Sequence, residues 1–110
     1  MGRYITTTGT AQPVLREVST TYTAEPQDRI LADSSSGTFT ITLPAAADAL
    51  VGDVVQIIDV TGSFAPNNVT VGRNGSDINN TAQDLTLDIN GAIVTLLYTG
   101  VTYGWVISST

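Results

Sequence analysis

The chain has 110 residues, four arginines against ten Asp and Glu for a formal charge of −6, and neither cysteine nor histidine. That length accounts for one domain. Four dispersed cations (Arg3, Arg16, Arg29, Arg73) do not capture nucleic acid or an anionic membrane surface, and disulfides, thiolate nucleophiles, Cys-based metal centres and histidine bases are excluded outright.

Charged residues make up 13% of the chain, and the rest is dominated by Thr, Ser, Gly, Val and Ile, a β-prone composition. The start Met1-Gly2-Arg3-Tyr4-Ile5-Thr6 has no apolar run of the secretory kind, so no export signal is expected. The longest apolar stretches, Val54 to Val60 and Ala92 to Tyr98, fall far short of the ~20 residues that cross a bilayer, so no membrane partner is expected either.

Residues 1–24 are β-prone but carry too few apolar side chains to close a core. Threonine tracts interrupted by Gly9 and Pro13 predict an extended arm that adds to a sheet or to a partner surface. From residue 25 to residue 110 the pattern is that of a β domain. Arg29 to Ala32 is a short strand closed by the turn Asp33-Ser34-Ser35-Ser36-Gly37. Thr38-Phe39-Thr40-Ile41-Thr42-Leu43 alternates cleanly and sets Phe39, Ile41 and Leu43 on an inner face. Pro44 ends that strand, and Ala45 to Leu50 predicts one helical turn.

Val54 to Val60 is apolar on both parities, as when both faces of a strand are covered. Val69 to Val71, Leu85 to Ile89, Ala92 to Tyr98 and a last strand around Tyr103 to Ile107 follow, with Asn74-Gly75 and Asn90-Gly91 as hairpin signals. Strands at this spacing predict an all-β chain: an antiparallel β-sandwich or barrel-like domain with an extended N-terminal arm and no internal repeat.

Paired carboxylates are the one catalytic device this composition allows. Asp53, Asp59, Asp77, Asp84 and Asp88 all have a structural reading as turn, capping or outward positions, and Asn74-Gly75-Ser76-Asp77 is too short for a calcium loop. No catalytic residue, metal ligand or cofactor is therefore assigned. Tyr103 and Trp105 could stack on a sugar, but a Trp between Gly104 and Val106 in a last strand reads first as an interface anchor. A second apolar strand face calls for a second sheet, a neighbouring subunit or both, and the subunit reading assigns an oligomer interface to Val60, Ile93, Leu97 and Trp105. Within the arm, Arg3, Tyr4, Ile5, Val14 and Leu15 are the anchors for attachment by strand addition.

The run from Asp28 through Asp33-Ser34-Ser35-Ser36-Gly37 to Leu43-Pro44 resembles a module of bacteriophage virion proteins. So do Gly52-Asp53-Val54-Val55, Asp59-Val60-Thr61-Gly62-Ser63-Phe64, Asn68 to Gly75 and the closing Gly104-Trp105. The resemblance spans about residues 24 to 107 and implies a non-enzymatic structural component of the virion, in a tail fibre or as capsid decoration, often trimeric and in contact with other virion proteins. A carbohydrate- or receptor-binding module at a fibre tip, taking a host surface glycan, is the second expectation. A depolymerase fragment is the third.

Overall fold

The structure is a computed structural model and describes residues 15–109. Nine strands form two sheets: β1 (Leu15–Val18), β2 (Tyr22–Thr23), β3 (Arg29–Ala32), β4 (Phe39–Thr42), β5 (Val54–Asp59), β6 (Val69–Gly72), β7 (Leu85–Leu87), β8 (Ile93–Tyr98) and β9 (Trp105–Ser109). A single 3-10 turn at Ala46–Asp48 fills the place of the predicted helical turn. The five-stranded sheet runs β1-β3-β5-β8-β9 and the four-stranded sheet β2-β4-β6-β7. One core lies between them, with Ile30, Val55, Ile57 and Leu96 from the first and Ile41, Val69 and Val71 from the second fully buried.

The all-β expectation holds, but the sheets are mixed and open, not antiparallel. For its first six strands the chain crosses from one sheet to the other at every connection, so β1, β3 and β5 run parallel, as do β2, β4 and β6. Antiparallel pairing begins where β7 returns along β6, and β8 and β9 complete the other sheet. The cause is in the connections. A strand that crosses to the opposite sheet and back re-enters in its original direction, whereas a hairpin reverses it. Polar, glycine-rich turns such as Asp33 to Gly37 look the same in sequence in either case. Asn74 and Gly75 do adopt the left-handed pair a tight turn needs, at φ 51° and 85°. Asn90-Gly91, in contrast, leads from β7 across to β8 in the other sheet, so it is no hairpin.

Phe39, Ile41 and Leu43 face the core at 8%, 0% and 0% exposure. The register places Ile41 beside Val71 and Phe39 beside Val69, two aliphatic rows that extend into β7 through Leu85 and Leu87. Outward, Thr40 stands beside Thr70 and Thr86, a polar row facing solvent.

The boundary drawn at residue 24 shifts. Leu15–Val18 pairs with β3 and Tyr22–Thr23 with β4, so residues 15–24 belong to the two sheets. They supply few core side chains, Val18 and Ala24 with Tyr22 packed against them, because they form the end of the core. Arg16 points inward over Ile30 and donates Nε to Asp28 Oδ1 at 3.0 Å, while the Tyr22 hydroxyl donates to Oδ2 at 2.6 Å and the Glu25 N–H to the same oxygen at 2.9 Å. Asp28 is 3% exposed, and this network seals the last apolar layer with satisfied polar groups.

Candidate assembly surface

Strand alternation divides the five-stranded sheet into an inner and an outer face. The outer positions are Leu15 and Glu17 on β1, Arg29 and Leu31 on β3, and Val54, Gln56 and Ile58 on β5, with Val60 just beyond. Ile93, Thr95 and Leu97 on β8 and Val106 and Ser108 on β9 complete it. Register sorts them into rows. Val54, Leu97 and Val106 form one aliphatic row; Leu31, Ile58 and Ile93 form another, with Val60 at its margin. Between them lies a polar row of Arg29, Gln56, Thr95 and Ser108, in which Gln56 Nε2 donates to Thr95 Oγ1 at 3.1 Å.

Three of the four residues assigned from sequence to an oligomer interface meet here. Val60, Ile93 and Leu97 are 48%, 37% and 41% exposed on this one face. Trp105 does not join them. It is fully buried on the inner face, its ring 5.0 Å from that of Tyr98 at 54°, and so serves as a core anchor within its own chain. The parity of β9 decides this: Val106, paired with Leu97, takes the outer position, and Trp105 is forced inward. With Trp105 buried and Tyr103 exposed, the two aromatics do not form a stacking platform.

Of the attachment residues, Leu15 opens edge strand β1 and is 60% exposed. Arg3, Tyr4, Ile5 and Val14 lie outside the described residues.

The carboxylates are spent on structure. Asp53 accepts from the Leu50 N–H at 2.7 Å and Asp84 from the Arg73 N–H at 3.0 Å, and Asp77 stands 3.8 Å from Arg73. Asp59 is buried, and its carboxylate accepts from the N–H groups of Ser63, Phe64 and Gly91. Burial alone would push that carboxyl up, but the N–H groups of Gly91, Ser63, Phe64 and Gly62 outweigh it and hold the group below the ordinary carboxylate range. Burial, followed by the hydrogen bond to Asp28, pushes the Tyr22 hydroxyl up to about 12. Asp59 and Tyr22 are thus each held by hydrogen bonds that tie a turn or a strand end in place. Among the described residues no three of His, Cys, Asp or Glu gather to hold a metal ion, and no helix is long and apolar enough to cross a membrane.

The polar seal of Arg16, Asp28 and Tyr22 is not evident in sequence, because its members are scattered between a strand read as arm and a turn. The sole hint is an arginine at an inward parity of a weakly apolar strand. A scan against protein-family models and a search of curated proteins return no match to this chain.

Proposed function

We propose that the protein is a non-enzymatic structural component of a bacteriophage virion, in a tail fibre or as capsid decoration. In this reading it self-associates through its β domain and joins the particle through its N-terminal segment. The sandwich-like layering of two sheets on one core serves that role as a building block. One observation carries the reading: the outer face of the five-stranded sheet presents aliphatic side chains from all five strands, although the core is already closed on the other face. Leaving a large aliphatic side chain in water forgoes about 1.5–3 kcal/mol relative to burying it, so several aligned in rows mark a surface that is covered in use.

Of the carboxylates weighed as candidate acids, Asp53, Asp59 and Asp84 accept from backbone N–H groups, which supports a structural reading of them. The glycan-binding alternative loses its aromatic pair with the burial of Trp105. The test is co-sedimentation with particles that lack the native copy, using the full chain and a chain without residues 1–12. The full chain is expected to sediment with the particles and the truncated chain to stay behind. Equal sedimentation of both would move attachment to the β domain, and sedimentation of neither would defeat the reading.

A further inference from the structure

The outer face of the five-stranded sheet carries two charges among its strand positions, Glu17 on β1 and Arg29 on the adjacent β3. Arg29 is exceptional in its surroundings. The chain is acidic at −6, and the other arginines among the described residues are engaged: Arg16 with Asp28 and Glu25, Arg73 with Asp77. Arg29, also exposed, meets no carboxylate among the described residues, and neither does any cation meet Glu17. Glu17 heads the Leu31, Ile58 and Ile93 row and Arg29 stands in the polar row beside it, and a depression of about 420 Å³ opens between Glu17, Leu31 and Val60. Asp33 also lines it, but its carboxylate is taken up by the Ser35 N–H and hydroxyl at 2.9 and 2.6 Å.

From this we infer that the face docks on a second copy of itself, with Arg29 of one copy closed by Glu17 of the other. The inference rests on the assembly reading above and names the contact that gives it register. A self-complementary face needs each charge answered by its opposite on the same patch. One cation and one acid on neighbouring strands, offset along the strand by one outward position, meet that need when a two-fold axis runs across the strands between the two rows. The Arg29 row of one copy then lies over the Glu17 row of the other, and the pair forms twice. The face spans four strand gaps by six residues, roughly 19 Å by 20 Å at standard strand spacings, a small patch on which charge pairing weighs heavily against area. A single-signed partner would leave one of the two charges unanswered; a second copy answers both.

The experiment measures association of the full chain by sedimentation equilibrium from micromolar to millimolar concentration, with circular dichroism confirming the fold of every variant. Wild type is expected to associate, and less so as salt rises. Arg29→Glu and Glu17→Arg, each alone, put like charges across the contact and weaken association by about tenfold or more. Mixing the two single variants restores it, because each then faces its opposite; the double variant also associates. Single variants that associate like wild type, or a mixture that stays dissociated, would overturn the Arg29–Glu17 contact while leaving the assembly reading intact. A wild type that stays monomeric throughout would overturn both.

Discussion

Asp59 ends β5 at 6% exposure, and three backbone donors converge on its carboxylate: Ser63 N–H on Oδ1 at 3.1 Å, and Phe64 and Gly91 N–H on Oδ2 at 3.2 and 2.9 Å. Two loops meet there. One carries Phe64, fully buried in the core; the other is the turn that launches β8 and with it Ile93 of the outer face. Asp59→Ala leaves three donors without their acceptor. A hydrogen bond to a charged group contributes about 1.5–3 kcal/mol net, and bonds sharing one acceptor do not add, so the expected loss is about 3–5 kcal/mol. Against a typical total of about 5–15 kcal/mol, that is a large share. Asp59→Asn keeps one acceptor oxygen but turns an amide NH₂ toward the remaining donors, for a loss of about 2–3 kcal/mol.

The pH dependence has a definite sign. The folded pKa lies below the unfolded value near 3.9, so the unfolded chain takes up the proton first. The contribution of Asp59 is present in full above about pH 5 and fades as pH falls through the folded pKa. Urea denaturation of wild type and Asp59→Asn, repeated from pH 7 down to pH 3, follows both effects. The gap between the two curves should narrow as the solution is acidified. A loss below about 1 kcal/mol for Asp59→Ala at pH 7, or a gap that stays constant with pH, would refute the clasp.

Three further substitutions probe the packing. Phe39→Ala should cost about 3–5 kcal/mol and Thr40→Ala less than about 0.5 kcal/mol in the same denaturation assay, because the first faces the core and the second belongs to the outer threonine row. The Tyr98 hydroxyl is buried with no hydrogen-bond partner among the described residues, so Tyr98→Phe should leave stability unchanged or raise it by about 1 kcal/mol; a clear loss would show that the hydroxyl has found a buried partner.

Period-two alternation made the inner face of β4 legible, since Phe39, Ile41 and Leu43 are separated by threonines and bounded by Gly37 and Pro44. Apolar residues on both parities of Val54 to Val60 likewise signalled a second apolar face, but only the strand pairing shows that Val54, Ile58 and Val60 are the outward set. Pairing direction was not legible. It depends on whether a connection crosses between layers, and that is settled by which core rows stack, not by the turn residues themselves. Trp105 was misassigned for a related reason: in a five-residue strand, its parity follows only from the pairing of Val106 with Leu97. Leu15 to Thr23 carries little apolar signal because parallel pairing and the Arg16–Asp28 network, not burial of large side chains, hold it in place.

The two edges of the five-stranded sheet are treated differently. At β9 the segment after Asp77 lies along the edge: the Trp105 N–H donates to Asp77 O at 2.8 Å, the Asn79 N–H to Trp105 O at 2.8 Å, and Asn79 Oδ1 accepts from the Ile107 N–H at 2.9 Å. Asn79 and Asn80 hold left-handed φ values of 50° and 61°, a conformation asparagine tolerates better than most residues. A side-chain amide thus completes the ladder where a further strand would pair, which blunts that edge against addition. At β1 the Asp33 N–H donates to Val18 O, so Val18 turns its backbone groups toward β3, and by alternation Glu17 turns its own away from the sheet. Leu15–Val18 therefore presents a pairing edge that the described residues do not cap, and the outward charges Glu17 and Arg29 stand at the same margin. The proposed strand addition and the Arg29–Glu17 contact would thus both fall at the β1 margin, while the β9 edge is closed by the chain's own amide groups.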